Sequence, residues 1–281
     1  MAMPNDLVLV RHGEAEGNVV REQARQGDES GYTERFVTTP GRRWQLTADG
    51  REQARCAGAW IRTVFDGFDR YYASPFTRTT QTATWLALSR PADDRQGEDR
   101  RPRWYLNRSL RERDWGDVGS IPRKEFTDRP EYALNARRQR TDPLYWVPPG
   151  GESIAQVAEN RVRNFLDTLH RELAGRRVLA VTHGEFIWAT RLVLERLDDD
   201  EFVRLTDDDG QRIGNCEIVH YTRRDPGSGA ISDRLEWLRR SRPIGDHRTG
   251  WRMQVDDWQR IEYRLYLGDT LADADTDPEC S

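Results

Sequence analysis

The sequence is almost without lysine. Lys124 is the single lysine among 44 basic side chains, so nearly every cation is an arginine. Arginine is an ordinary surface residue, and the bias reads first as one of composition. Cysteine is scarce as well. Cys56, Cys216 and Cys280 lie far apart, form no Cys-x-x-Cys pair and exclude a disulfide framework. No apolar run approaches the ~18 residues of a membrane span. The opening Met-Ala-Met-Pro-Asn-Asp has no basic stretch leading into an apolar one, so no secretory signal is expected. A positive excess is missing too: the net charge is −4 and the isoelectric point about 5.9. A whole-surface electrostatic grip on nucleic acid is therefore not expected.

What is present is polar yet aromatic. Charged residues make up 33% and the mean hydropathy is −0.90, but ten Trp, nine Tyr and eight Phe are too many for a disordered chain. At 281 residues the chain is long enough for one α/β domain with insertions or for two domains. These features together point to a globular cytoplasmic protein with neither a membrane nor a nucleic-acid partner.

Three short apolar runs, Leu7–Val10, Tyr71–Ala73 and Val178–Val181, read as strands buried on both faces. Helical spacing separates them. Thr47 can cap a helix carrying Ala54, Ala57, Ile61, Val64 and Phe65. A second helix is expected to begin near Pro75. A third spans about Glu152 to Ala174, with Gly175 placed to end it. Such alternation predicts a three-layer α/β/α architecture with a mostly parallel central sheet. Val19 to Gln45 reads as a long loop, and about 91–151 as a cap or lid inserted over the active site. Asn215 to Tyr221 is expected as a strand, with Cys216 a small buried residue in it and Leu235 to Leu238 pairing back as a hairpin. The resulting plan is a single domain over 1–245 and a C-terminal extension over 246–281 ending in an acidic tail. A homodimer is the assembly kept in view.

Each buried strand runs into a polar cluster: Arg11-His12-Gly13-Glu14, Ser74-Pro75-Phe76-Thr77-Arg78, and Thr182-His183-Gly184-Glu185. Ligands of open α/β sheets bind outside the carboxyl ends of the strands. If the strands are neighbours, two histidines and two arginines converge on one crevice. Those residue types suit phosphoryl transfer, which needs positioning and compensation of spread negative charge. A guanidinium fork matches two phosphate oxygens, and helix N-termini after Gly13 and Gly184 add backbone N–H groups. A neutral imidazole is a competent nucleophile at phosphorus, and flanking arginines keep it neutral. The arginines supply the positive charge, so neither a metal nor a cofactor is required. Glu112, in Leu110-Arg-Glu-Arg-Asp-Trp-Gly116, is the carboxylate placed to protonate the leaving oxygen.

The chain resembles the histidine phosphatase superfamily, the phosphoglycerate-mutase-like family. The resemblance rests on Leu9-Val-Arg-His-Gly-Glu14 with Asn18, Leu46-Thr-Ala-Asp-Gly-Arg-Glu-Gln-Ala54 and Ser74-Pro-Phe-Thr-Arg-Thr-Thr-Gln-Thr-Ala83. It continues through Leu110-Arg-Glu, Pro149-Gly-Gly-Glu-Ser153 and Val181-Thr-His-Gly184, in the family's order over roughly residues 5 to 222. It implies that His12 is the phosphorylated nucleophile. It also implies that Arg11, Arg78 and His183 hold the phosphoryl, that Asn18 assists and that Glu112 donates the proton. Classical mutases follow the first motif with a Trp-Asn pair; here Val19-Val20 and the long loop stand instead. That departure favours the branch of mutase-like phosphatases. The expected activity is hydrolysis of a small phosphate ester. A mutase and a non-catalytic phosphate- or phosphopeptide-binding protein are the alternatives. Two further expectations concern the substrate. Arg21, Arg25, Arg35, Arg42 and Arg43 could read a second acidic group, and Trp104, Trp115, Tyr145 and Trp146 could wall the site.

Overall fold

The computed structural model describes residues 2–88 and 102–262. Its centre is an eight-stranded sheet in the order β3-β2-β4-β1-β5-β6-β7, with β8 also paired to β6. The strands are β1 (Asp6–Arg11), β2 (Arg70–Ala73), β3 (Trp104–Leu106), β4 (Arg177–Thr182), β5 (Ile218–Thr222), β6 (Trp237–Asp246), β7 (Gly250–Val255) and β8 (Gln259–Arg260). β3, β2, β4 and β1 are parallel neighbours, and β6 runs in the same direction, so most strands are parallel. The pairings from β1 through β5 and β6 to β7 and β8 are antiparallel.

The apolar runs form central strands because they serve both faces. Leu7 and Leu9 of β1 and Val178 and Ala180 of β4 enter one core. Val8, Val10, Leu179 and Val181 enter the other. The alternation is the two-residue period of a strand, made invisible in sequence because both faces are covered. All but Leu179 are fully buried, each aliphatic side chain contributing about 1.5–3 kcal/mol. α3 (Ala48–Val64) and α4 (Thr77–Leu88) cover the second face through Ala54, Ala57, Ile61, Ala83 and Leu86. α3 starts at Thr47, whose side chain accepts from the Gly50 N–H at 3.0 Å.

The other face carries the long helical stretch and α9 (Gly184–Leu194). Ser153 opens the stretch with a capping box: its hydroxyl accepts from Gln156 N–H, and its own N–H donates to the Gln156 side chain. The stretch is not uniform. After α7 (Ile154–Gln156) the turns widen into a π-helical segment over Val157–Val162, then close again in α8 (Arg163–Glu172). Gly175, at φ +69°, ends it in the left-handed region.

The segment expected as a loop over Val19 to Gln45 is partly helical. It contains most of α1 (Glu16–Arg25) and all of α2 (Glu34–Thr38). No apolar stripe announces α1, because its one buried residue is Gly17. A Cβ there would overlap the Trp44 ring, so the missing side chain is what lets the helix seat. Trp44 in turn stacks on Phe36 at 4.8 Å.

The insert supplies β3 to the sheet edge and then α5 (Arg123–Asp128) and α6 (Ala133–Thr141), around a small core of Phe126, Ala136 and Trp146. Residues 91–101 of it, and the acidic tail expected at the end, lie outside the described residues. After it come α10 (Asp199–Asp207) and the antiparallel strands. β5 begins at Ile218, not Asn215. Gly214 to Glu217 is a turn in which Cys216 takes φ +53°, so Cys216 is buried but precedes the strand. β6 is longer than the hairpin arm expected at Leu235 to Leu238. The division expected at 245 falls inside it, and β7 and β8 carry the same sheet on to Arg260.

Candidate active site

β1, β2 and β4 are adjacent, in register Arg11–Thr182 and Ala73–Val181, so the residues after them meet at one end of the sheet. His12, Arg78 and His183 are all buried there. The imidazoles of His12 and His183 lie edge to face, 5.2 Å between centroids.

The protonation pattern follows from the partners. His12 Nδ1 lies 2.7 Å from the Gly13 carbonyl oxygen, which can only accept. Nδ1 therefore carries the proton and Nε2 the lone pair. That lone pair accepts from Arg78 Nε–H at 3.0 Å. Arg78 Nη2 donates to His183 Nδ1 at 3.0 Å, which leaves the His183 proton on Nε2, directed to Ser74 Oγ at 2.9 Å. Arg78 Nη1 donates to the Gly41 carbonyl at 2.8 Å. Burial holds both histidines well below their ordinary pKa, with the charges of Arg78 and Arg11 adding to the effect. Both are neutral near pH 7. Burial also brings Arg78 down to about 10, and it stays charged.

Arg11 turns its Nη1 to the Ile213 carbonyl at 2.5 Å. Its buried Nε–H has no partner among the described residues. It lies against the N-terminus of α9, where a Cβ on Gly184 would approach it at 3.4 Å. Glu112 comes from the insert, on the loop after β3. Its Oε2 is 3.8 Å from both Arg78 Nη2 and His183 Nδ1. Thr182 Oγ1 ties this loop to the sheet by donating to the Leu110 carbonyl at 2.8 Å.

Asn18 lies close by, with its Oδ1 accepting from Ala15 N–H at 3.0 Å and from Asn215 Nδ2 at 3.3 Å. Its carbonyl thus serves the start of α1. Asn215 also donates to the His12 carbonyl at 3.3 Å. The turn bearing Asn215 is braced from behind. Glu217, fully buried, accepts from Gly214 N–H and from Arg240 Nε, each at 2.6 Å, and Arg240 also donates to the Gln211 and Arg212 carbonyls.

His12, Glu112 and His183 place donor atoms within 4.8 Å of one another, a spacing that could hold a metal ion. Arg78 decides against it. Its guanidinium already points at all three, and its fixed charge repels a cation there.

The structure brings Arg11, His12, Asn18, Arg78, Glu112, His183 and Gly184 to this end of the sheet. Sequence reasoning did not assign Ser74, Gly41 or Asn215. Ser74 was visible as the first residue after a strand. Gly41 acts through its carbonyl, which no residue pattern reveals. The expected aromatic wall is different. Trp104 packs on Tyr71 at the sheet edge, and Tyr145 is exposed. Trp115 and Trp146 flank Arg113 in the insert, at 4.5 and 5.4 Å from its guanidinium. Among the described residues, Phe76 meets the site, 5.1 Å from the His183 centroid and 5.1 Å from the Arg78 guanidinium. Of the arginines expected to read a second acidic group, Arg21 stands over Trp44 and donates to the Gly119 carbonyl at 3.1 Å. Arg25 pairs with Glu22 on the surface.

Comparison with known proteins bears on the family and the fold. A 2,3-bisphosphoglycerate-dependent phosphoglycerate mutase of Parvibaculum lavamentivorans is 30% identical over 206 residues, covering 72% of this chain and 86% of its own. A phosphoglycerate mutase-like protein of Arabidopsis thaliana is 25% identical, covering 99% of this chain and 85% of its own. Among solved structures, a mycobacterial glucosyl-3-phosphoglycerate phosphatase in complex with VO3 superposes with a TM-score of 0.57 at 22% identity, over 89% of this chain and 98% of that one. A phosphoserine phosphatase of Entamoeba histolytica gives 0.55 at 22% identity, over 77% and 89%. The model of the histidine phosphatase superfamily (branch 1) matches residues 7–227, and the chain belongs to that family.

Proposed function

We propose that the protein hydrolyses a small organic phosphomonoester through a phosphohistidine at His12, without a metal or other cofactor. The observation that carries this reading is the unprotonated Nε2 of a neutral, buried His12, facing Arg78 with the Glu112 carboxyl nearby. In the first step Nε2 attacks phosphorus, the P–O bond to the alcohol breaks, and Glu112 gives its proton to the departing oxygen. In the second step Glu112 takes a proton from water, whose oxygen attacks phosphorus as the N–P bond breaks. Alcohol and inorganic phosphate are the products, and both residues return to their starting forms. Arg11, Arg78, His183 and the α9 N-terminus at Gly184 enclose the transferred group, with Asn18 at the edge. The partnerless Arg11 Nε–H is the kind of donor that a phosphoryl oxygen satisfies.

The test is hydrolysis of p-nitrophenyl phosphate in the presence of a chelator, by the protein and by His12→Ala. Turnover that survives the chelator, is inhibited by vanadate and is lost in the variant supports the reading. Turnover unaffected by the substitution overturns it. The names of the curated relatives favour a second reading, a mutase. It differs only in the acceptor. Phosphoryl transfer from labelled enzyme to a phosphoglycerate, outrunning release of free phosphate, would establish it. Tight phosphate binding with neither turnover nor a labelled enzyme would mark a non-catalytic binder.

A further inference from the structure

The π-helical segment holds a buried residue that the mechanism leaves unused. Arg161 is 6% exposed, within Val157–Val162. Its Nη1 donates to the Arg111 carbonyl at 2.6 Å and to the Ser109 carbonyl at 3.4 Å. Its Nη2 donates to the Glu112 carbonyl at 3.5 Å and to Glu152 Oε2 at 2.9 Å. Three carbonyls of one short loop thus converge on a single guanidinium, and the third belongs to Glu112. Glu152 completes the frame: its carboxylate accepts from Arg111 Nη2 and Asp114 N–H, each at 3.0 Å. Its carbonyl accepts from Arg113 Nε at 2.6 Å.

A guanidinium is well suited to this task. Its donors form a rigid planar fork, so the atoms it binds are fixed relative to one another as well as to the helix. Burying it is costly, as its lowered pKa reflects, with desolvation the largest cause and Glu152 opposing it. The widened turn is itself rare, and such segments occur often at functional sites.

We infer that Arg161 is a positioning residue for the proton-transfer step, holding the loop of Glu112 so that its carboxyl faces His12 and His183. This rests on the reading of Glu112 as the general acid. The inference predicts a selective defect. Protonation of the leaving oxygen matters for an alkyl ester, whose alcohol is a poor leaving group. It matters little for 2,4-dinitrophenyl phosphate, whose phenolate leaves unaided.

The experiment measures kcat/KM, which reports steps through release of the alcohol, for an alkyl phosphate and for 2,4-dinitrophenyl phosphate. Glu112→Gln should lose about 10²–10⁴-fold on the alkyl ester and little on the other. Arg161→Met should lose about 10- to 100-fold on the alkyl ester, also with little change on the other, as expected of a misplaced catalytic group. Added to Glu112→Gln, it should cost nothing further on the alkyl ester. Arg161→Lys, which keeps charge but not the fork, should fall between. The ratio of the two substrates does not depend on how much protein is folded, so partial loss of Arg161→Met does not blur the result. Equal losses on both esters in Arg161→Met would make Arg161 merely structural and overturn the inference. An unchanged ratio in Glu112→Gln would instead remove Glu112 from its role, and the inference with it.

Discussion

Replacing Arg78 with methionine separates what this side chain does for the fold from what it does for a ligand. Arg78 is 5% exposed, and burial brings its pKa down to about 10. That drop corresponds to about 3 kcal/mol of work against keeping the charge in place. Opposing it are the hydrogen bonds to His12, His183 and Gly41, together about 3–5 kcal/mol. The balance is a destabilisation of about 0–2 kcal/mol, since methionine fills most of the space and leaves no charge to desolvate. For a protein of this size the melting temperature should fall by less than about 8 °C. Activity should respond far more. Loss of a fixed cation from the transferred phosphoryl costs about 3–4 kcal/mol, or about 10²–10³-fold in kcat/KM. The acid limb of the pH profile should also move upward, because one of the charges that keep His12 and His183 neutral is gone. Calorimetry and p-nitrophenyl phosphate kinetics between pH 5 and 8 decide the matter. A fall of more than about 12 °C would make Arg78 a structural keystone, contrary to this reasoning. A kcat/KM within tenfold of the parent would show that it does not serve the phosphoryl.

Further expectations follow from the same geometry. His12, His183 and His220 all have pKa values lowered by burial, Asp6 opposing the effect at His220. The unfolded chain therefore binds more protons below their ordinary value of 6.5, and stability falls as pH drops through that point. The slope is up to about 1.4 kcal/mol per pH unit for each histidine; a melting temperature flat from pH 7 to 5 would contradict this. Gly50→Ala should destabilise by about 1–3 kcal/mol, because its new methyl would run into the Glu14 carbonyl and push α3 off the loop after His12; chemical denaturation measures it. Burial pushes the Cys216 thiol far up, so it should resist iodoacetamide in the native protein and react once unfolded, as mass spectrometry of the labelled peptide would report.

The parallel half of the sheet was legible because Leu7–Val10 and Val178–Val181 must be apolar on both faces, and no other element so short has that need. The site followed from it, since a polar residue directly after such a strand has one place to go. Legibility failed where a glycine or a backbone atom does the work. α1 packs through Gly17, so its sequence shows no apolar face. Gly41 contributes a carbonyl to Arg78. The wide turns at Val157–Val162 leave the helical stripe of Val157, Ala158 and Val162 intact, so periodicity gives no sign of them. The arginine excess hid Arg161 among dozens of solvated neighbours, although Glu152, in the motif before it, is its partner.

The pairing of Glu217 with Arg240 has a bearing on how members of this family can diverge. The family match ends at residue 227, yet the cation that neutralises Glu217 stands on β6, beyond that limit. Removing that cation alone, as in Arg240→Met, would leave a buried carboxylate without its counter-charge, a defect worth about 3–5 kcal/mol in the turn that reaches His12. The stretch matched by the family and the mechanical unit thus have different borders. Positions 217 and 240 are expected to be exchanged together, so that a relative with another residue at one has re-engineered the other. Divergence in the C-terminal strands, though remote from His12 in sequence, is in this respect divergence of the end of the sheet that holds His12.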